Sequence, residues 1–322
     1  MYAAVVTSFT APPRFAQLDA PEPHGEYEAV VDVLATGLHP RVRSQADGSH
    51  YTSTGQLPLV PGIDGVGMLG DGRIVYFVLP DTTMGAMAER TVIDLRRSVV
   101  LANDLDPVML AAAMNPGMSS WVGLRRRLDF QPGCSVLIMG ATGSAGQMAV
   151  QIAKHLGAAS VVGAGRDRVL LESLPGLGAD ATVSLRGDAR LVARRLAAAA
   201  SEVDVVIDYV WGAPTEAAVT ALLTARTDRG RAMTWLQLGS TAGPTAALPS
   251  VAFRSANFQV LGSGQGSVPT TAILAELPEL ATRIATGVFA VNPVTVPLAD
   301  VERAWTTPTA PGERVVIVPT PR

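Results

Sequence analysis

Short apolar runs at 3–7, 28–35, 65–69, 73–78 and 88–93, separated by proline, glycine and aspartate, fill the first part of the chain. Such runs predict strands, and residues 1–117 read as a mostly β region. From 118 to 264 the pattern changes. Apolar runs of strand length at 135–139, 160–164, 181–185, 203–208, 232–238 and 258–262 alternate with helical periodicity near 144–156, 167–174, 187–200 and 214–225. Six strands in βα alternation imply a parallel, doubly wound sheet, an α/β fold. Residues 265–322 carry one helical stretch at about 272–287 and two strand-like runs at 293–296 and 314–318. A segment this short is expected to return and complete the first region.

The run SVLIMGATGSAGQMAVQIAKHLG, residues 135–157, joins strand, turn and helix in immediate succession. Val136 to Met139 form the unbroken apolar segment that a strand buried on both faces requires. Gly140, Gly143 and Gly146 follow. Glycines in such a turn permit tight geometry, close approach of backbone N–H groups to a pyrophosphate and close packing of the next helix. Ser144 is placed to start that helix, Met148, Ala149, Ile152, Ala153 and Leu156 give it an apolar face, and Gly157 is placed to stop it. The helix N-terminus directs partial positive charge at an anion. The turn matches the dinucleotide fingerprint only in part, so a glycine-rich connection in another α/β fold is the alternative. Read as a cradle, its contacts are Gly140, Ala141, Gly143, Ser144, Ala145 and Gly146.

Composition narrows the function classes. A chain of 322 residues, 48% apolar, can bury a large core and is expected to form two domains. A formal net charge of −3 gives no reason to expect nucleic acid or an anionic membrane as partner. No run approaches the roughly 20 apolar residues of a membrane span, and residues 1–9 have neither a basic start nor an apolar signal core, so a cytoplasmic location is expected. Cys134 is the only cysteine, which excludes an internal disulfide and a multi-cysteine zinc site. Its place at the start of the buried strand suggests core packing. His24, His39, His50 and His155 show no recognised ligand spacing, and no metal is expected.

Several motifs recur in a telling order: MYAAVV at the start, ATGLHP at 35–40, LPLVPGIDGVG at 57–67, NPGMSSW at 115–121, the glycine run itself, LGAD at 177–180, VDVVIDYVWG at 203–212 and ERVVIVP near the end. In this order and spacing the chain resembles the medium-chain dehydrogenase/reductases, specifically the zinc-free quinone oxidoreductase branch. The resemblance implies a GroES-like catalytic domain, residues 1–117 and 265–322, split around a Rossmann NADP-binding domain, residues 118–264. Zinc-dependent members carry Gly-His-Glu where this chain reads Gly62, Ile63, Asp64, and ATGLHP lacks their first cysteine ligand. Carbonyl polarisation is then left to hydrogen-bond donors, which favours reduction of a quinone or an activated double bond over alcohol oxidation.

The end of the second strand of the alternating region bears on cofactor choice. An NAD enzyme usually places Asp or Glu there to hold the ribose 2′-hydroxyl. This chain reads VVGAGRDRVLLE, with Gly165 leaving room and Arg166 and Arg168 able to pair with a 2′-phosphate, which favours NADPH. Asp167 either turns inward or caps the next helix, and Arg168 is alternatively a solvated helix charge. From the resemblance, Ser119 matches a hydroxyl that reaches the nicotinamide side of the cofactor, Val210 approaches the nicotinamide ribose, and Leu238, Gly239, Ser240, Gly262 and Ser263 lie after core strands near the cofactor. Each has a plain alternative as turn or packing chemistry, and Asp208 reads as structural support.

The reaction implied is hydride transfer from a nicotinamide to an electrophilic carbon, with a proton supplied by the protein. Tyr51 matches a region where an aromatic hydroxyl lines the substrate cleft; an exposed loop tyrosine is the alternative. His39 stands where quinone oxidoreductases usually have Asn, and is either a proton relay or only a hydrogen-bond partner. His50 is a weaker candidate, and Asp64 reads as structural. The expected partner is a small electrophilic substrate. The alternatives are an NADPH-binding protein with little turnover and an enoyl-thioester reductase, the latter suggested by Asn115 and Pro116. The last strand of the sheet, with Phe258, Val260 and Leu261, predicts a homodimer through its unprotected edge.

Overall fold

The computed structural model describes residues 1–50, 53–310 and 312–319, and the chain divides into two compact units, Met1–Asn115 with Leu274–Arg322 and Pro116–Ile273. The first unit opens with an antiparallel pair, β1 (Tyr2–Val5) and β2 (Arg14–Gln17). It continues with β3 (Glu28–Gly37), α1 (Pro40–Ala46), β4 (Asp64–Leu69), β5 (Ile74–Val78), β6 (Arg90–Asp94) and β7 (Ser98–Val100). Alternate residues of β3 face an apolar cluster in which Val31 and Val33 meet Val75, Phe77 and Ile93. That alternation is why the strands were legible as short patterned runs.

The helix α2 (Pro107–Val122) leads to the second unit's alternating elements: β8 (Ser135–Met139), α3 (Ser144–His155), β9 (Ser160–Gly165), α4 (Arg168–Ser173), β10 (Ala181–Ser184), α5 (Ala189–Ala200), β11 (Val205–Asp208), α6 (Gly212–Ala225), β12 (Met233–Gln237), α7 (Ala252–Ser255) and β13 (Phe258–Gly262). Among the described residues these strands form a six-stranded parallel sheet in the order β10-β9-β8-β11-β12-β13. Leu137 of β8 lies opposite Val162 on one side and Val206 on the other. Val136 to Met139 are fully buried, as a central parallel strand covered on both faces must be. The order reverses between β8 and β11, so the turns leaving these two strands diverge at their carboxyl ends and open the crevice where doubly wound sheets hold ligands.

The tail returns to the first unit. After α8 (Thr270–Ala285), β14 (Asn292–Pro297) and β15 (Glu313–Val318) join its sheet, with β15 antiparallel to β3 through the pairs Val316–Gly37 and Ile317–Thr36. The resulting sheet runs β14-β15-β3-β4-β5-β7, with β6 also paired to β3. Val315 and Ile317 complete the apolar cluster begun by Ala3, Ala4, Val42 and Ile63.

Two features differ from the sequence expectations. Periodicity did not predict α2, because Pro116 and Gly117 stand inside it and both oppose helix. Burial of Leu110 to Met114 and of Trp121, all fully inaccessible, overrides that local preference. Cys134 is only half-buried, not a core residue, because it precedes β8 and the strand's buried face begins at Val136.

Candidate functional site

The second unit's turn after β8 is built by three glycines. Gly140 has φ of +87°, and both its N–H and that of Ala141 donate to the Ala164 carbonyl, at 2.9 and 2.8 Å, pinning the turn to β9. A Cβ on Gly146 would overlap the Gly140 carbonyl oxygen and stand 2.6 Å from Ala141 Cα, so α3 approaches the turn as closely as backbone allows. Gly143 caps α3 without a side-chain hydrogen bond, and the first turn carries no acidic residue. The N–H groups of Ser144, Ala145 and Gly146 therefore keep their positive end free of a competing side-chain acceptor. An anionic pyrophosphate fits this cradle: glycine at its floor, amides at its mouth.

At the exits of β9 and β10 the basic groups sort themselves. Asp167 does not turn inward; it caps α4, accepting from Leu170 N at 3.0 Å. Arg168 is exposed on α4 and stands 3.7 Å from Glu172, one helical turn on. Arg166 is exposed just past β9, and its carbonyl accepts from Arg186 Nε at 2.5 Å. Arg186 is held in turn by Arg195, whose Nη1 donates to its carbonyl at 2.8 Å. The space beside Gly165 is filled by Thr142: a Cβ there would stand 2.5 Å from Thr142 Cγ2.

The exits of β11 and β12 are tied together by Asp208. This buried carboxylate accepts from Val210 N at 2.7 Å, Trp211 N at 3.1 Å, Thr215 Oγ1 at 2.6 Å and Trp235 Nε1 at 2.9 Å. Its carbonyl accepts from Leu238 N and Gly239 N at 2.8 and 3.1 Å. Val210 Cγ2 would be 3.2 Å from a Cβ on Gly140, so the β11 exit packs directly on the glycine turn. Ser240 is exposed beyond it. Ser263 N donates to Gln237 O at 3.0 Å, and Gly262 O accepts from Arg127 Nε at 2.9 Å. Ser119, on α2, lies with its Oγ 3.0 Å from Tyr209 Oη. The expected cofactor residues thus gather at the carboxyl ends of β8, β9, β11, β12 and β13, with Ser119 brought in by α2.

In the first unit, His39 caps α1 and is buried, its Nε2 3.0 Å from Asp64 Oδ1. Tyr76 Oη donates to Asp64 Oδ2 at 2.8 Å, and Thr36 Oγ1 to the Asp64 carbonyl at 2.8 Å. A carboxylate only accepts, so Nε2 carries the imidazole proton. Burial pushes the His39 pKa down, against the opposing pull of Asp64, and the charges of Arg314 and Arg41 add to the lowering. The ring is therefore held neutral near pH 7. Burial also raises the Tyr76 phenol well above its ordinary value and lowers Arg314 to about 10. Ile63 is buried in the apolar cluster, and Gly62 N donates to Gln45 Oε1 at 3.0 Å. Among the described residues no group of three or more His, Cys, Asp or Glu is arranged to hold a metal. Tyr51 lies outside the described residues.

Comparison with known proteins places this geometry. Residues 145–281 match the family model of zinc-binding dehydrogenases. The Emericella nidulans protein named "Probable NADPH-dependent quinone reductase tdiC" is 30% identical over 99% of this chain and 100% of its own length. The chain belongs to the medium-chain dehydrogenase/reductase family, in its zinc-free quinone oxidoreductase branch. The 2-methylene-furan-3-one reductase of Solanum lycopersicum is 27% identical over 49% of this chain and 45% of its own. The quinone oxidoreductase of Thermus thermophilus, solved with and without NADPH, superposes with a TM-score of 0.79 at 25% identity, covering 99% of this chain and all of that one. Within a family whose model is named for zinc binding, this oxidoreductase has Ile63 between Gly62 and Asp64 and ties Asp64 to His39 and Tyr76.

Two residues of the site, Arg186 and Tyr209, escaped the sequence reading. Arg186 follows β10, and only the parallel pairing of Ser184 with Gly165 brings it beside Arg166. Tyr209 was passed over as one more residue of VDVVIDYV. Asp208, expected as structural support, is that, and the structure adds that its four donors come from three separate segments.

Proposed function

We propose that this oxidoreductase uses NADPH to reduce a quinone, an enone or another activated double bond. The observation that carries the reading is the cradle at α3: Gly146 packed against Gly140 and Ala141, below a helix end capped by a residue without a side chain. When bound, NADPH supplies hydride from its nicotinamide ring. Gly140, Ala141, Gly143, Ser144, Ala145 and Gly146 hold the pyrophosphate. Val210, Leu238, Gly239, Ser240, Gly262 and Ser263 border the nicotinamide half, and Ser119 bonds the nicotinamide itself. Arg166 takes the 2′-phosphate together with Arg186; Arg168, engaged with Glu172, takes a lesser share. Proton supply falls to Tyr51, with His39 as relay through the nitrogen that Asp64 leaves free.

NADPH consumption followed by absorbance with a panel of quinones, enones and 2-enoyl thioesters tests this reading. Saturable turnover with a quinone or enone supports it, whereas tight NADPH binding without oxidation by any acceptor shows a binding protein. A thioester as the sole acceptor shows an enoyl reductase. For cofactor choice, Arg186→Ala is expected to raise the Kd for NADPH about tenfold, the worth of one charge-assisted hydrogen bond, and leave that for NADH unchanged. Equal losses for both cofactors would move the 2′-phosphate elsewhere.

We also infer a homodimer through β13. The reading is supported by its position at the end of the sheet and by Phe253 of α7, which is exposed and packs against Phe258. Light scattering that returns a monomer mass would remove it.

A further inference from the structure

Gly165 is buried at the end of β9, the place where an NADH enzyme carries its ribose-holding carboxylate. Its backbone does not call for glycine, since its φ lies outside the left-handed region. The neighbour that calls for it is Thr142 of the glycine turn. A Cβ at 165 would stand 2.5 Å from Thr142 Cγ2, 2.7 Å from Thr142 Oγ1 and 3.1 Å from Thr142 Cβ. A side chain leaving position 165 therefore heads for the turn that cradles the pyrophosphate, the direction a ribose-holding carboxylate must take. Thr142 already stands there.

Both partners are held by their backbones. The Ala164 carbonyl accepts from Gly140 N and Ala141 N at 2.9 and 2.8 Å, and Leu185 N donates to Gly165 O at 2.7 Å, so the end of β9 is pinned on both sides. The Thr142 carbonyl accepts from Gln147 Nε2 at 3.2 Å, which ties it to α3, and Gly143 N donates to Gly140 O at 3.0 Å across the turn. Rotation of the threonine side chain gives no relief. Its two γ atoms fill two of the three staggered positions about Cα–Cβ, and both of those positions face Gly165. Turning χ1 sends one γ atom to the third position and leaves the other in the way.

We propose that Thr142 is a specificity-determining residue: its branched side chain keeps position 165 free of a carboxylate and so commits the site to NADPH. This rests on the NADPH reading and goes further in naming the residue that withholds what NADH requires. A 2′-phosphate met by the guanidinium groups of Arg166 and Arg186 needs no side chain at 165. A 2′-hydroxyl finds no charged acceptor there, and the next acid along the chain, Asp167, is taken up by the cap of α4.

Gly165→Ala adds the Cβ and no new polar chemistry, and its effect is compared in three backgrounds: wild type, Thr142→Ala, which removes both γ atoms, and Thr142→Val, which keeps two. In the wild-type and Thr142→Val backgrounds it should raise the Kd for NADPH about tenfold and lower the melting temperature, as overpacking against held neighbours does. In the Thr142→Ala background most of both losses should disappear, the signature of two residues in contact. Fluorescence titration gives the dissociation constants, and the melting temperatures read the coupling without any cofactor. Gly165→Asp then reads specificity. With Thr142 in place it should weaken NADPH and NADH alike. Combined with Thr142→Ala it should bind NADH about tenfold more tightly than Gly165→Asp alone, and NADPH more weakly than NADH. Equal effects of Gly165→Ala in all three backgrounds overturn the proposal, an outcome open even if Gly165→Asp does not fold. A Gly165→Asp protein that gains NADH with Thr142 in place overturns it too, as does one that gains none beside Thr142→Ala. A wild-type protein that does not bind NADPH overturns the NADPH reading instead, while the melting temperatures still report whether Thr142 and position 165 exclude one another.

Discussion

Gly146→Val is expected to lower NADPH affinity by on the order of 100-fold, the largest loss from any single change in the cradle, because overpacking against backbone has no flexible side chain to absorb it. The added Cβ would overlap the Gly140 carbonyl oxygen and lie 2.6 Å from Ala141 Cα and 2.8 Å from Gly140 C. Relief requires either the turn to open, which breaks the paired bonds from Gly140 N and Ala141 N to Ala164 O, or α3 to lift away from β8. Both movements take the helix amides off the pyrophosphate. Gly143→Ala is the control: its Cβ would meet nothing closer than the Gly140 oxygen at 3.5 Å, and its φ of −78° suits any residue. That variant should fold and bind within a few-fold of wild type, the scale of a surface substitution that meets no steric conflict. Fluorescence titration measures both, with circular dichroism to verify folding. A Gly146→Val protein that binds NADPH as wild type does would show that the cofactor does not use this turn.

Asp208→Ala should cost about 3–5 kcal/mol of stability, since it leaves several buried donors without an acceptor. Two of the four donors are the backbone N–H groups of Val210 and Trp211, which shape the exit of β11; Trp211 has φ of +55°, a left-handed backbone that an L-residue adopts only when held there. The other two, Thr215 Oγ1 and Trp235 Nε1, tie that exit to α6 and β12. The melting temperature should fall by roughly 6–20 °C, taking 2–4 °C per kcal/mol for a chain of moderate size. Asp208→Asn should fall between the two, because its amide oxygen still serves the backbone donors while its NH2 opposes the indole N–H. NADPH affinity should drop in both variants well below the melt, as the Val210 contact loosens. An Asp208→Ala protein that melts with the wild type would refute the role of this carboxylate as the support of the β11 exit.

These two sites mark how far the sequence could be read. The cradle was legible because its physics is local: strand, glycines and helix follow one another within residues 135–157, and each glycine acts on neighbours a few positions away. The βα alternation was legible for the same reason, since a strand buried on both faces and an amphipathic helix each carry their own period. Helix α2 was not, because burial of its apolar residues outweighs the local preferences of Pro116 and Gly117. Asp208 was legible as structural support, but what it supports was not. Its four donors are up to 27 residues distant, and only the pairing of β11 with β12 assembles them.

From the order of its residues alone, the chain gave its α/β class and the succession of strand, glycine turn and helix at 135–157, because short-range periodicity is a property of the residues themselves. The fold decided which charges and hydroxyls act together. Asp167 became a helix cap and Arg186 joined Arg166, since the parallel register of β9 and β10 sets which loop ends are neighbours. Ser119 met Tyr209 across 90 residues of chain. Hydrogen bonds need position and orientation in space, and only the folded arrangement of helices on the sheet supplies both.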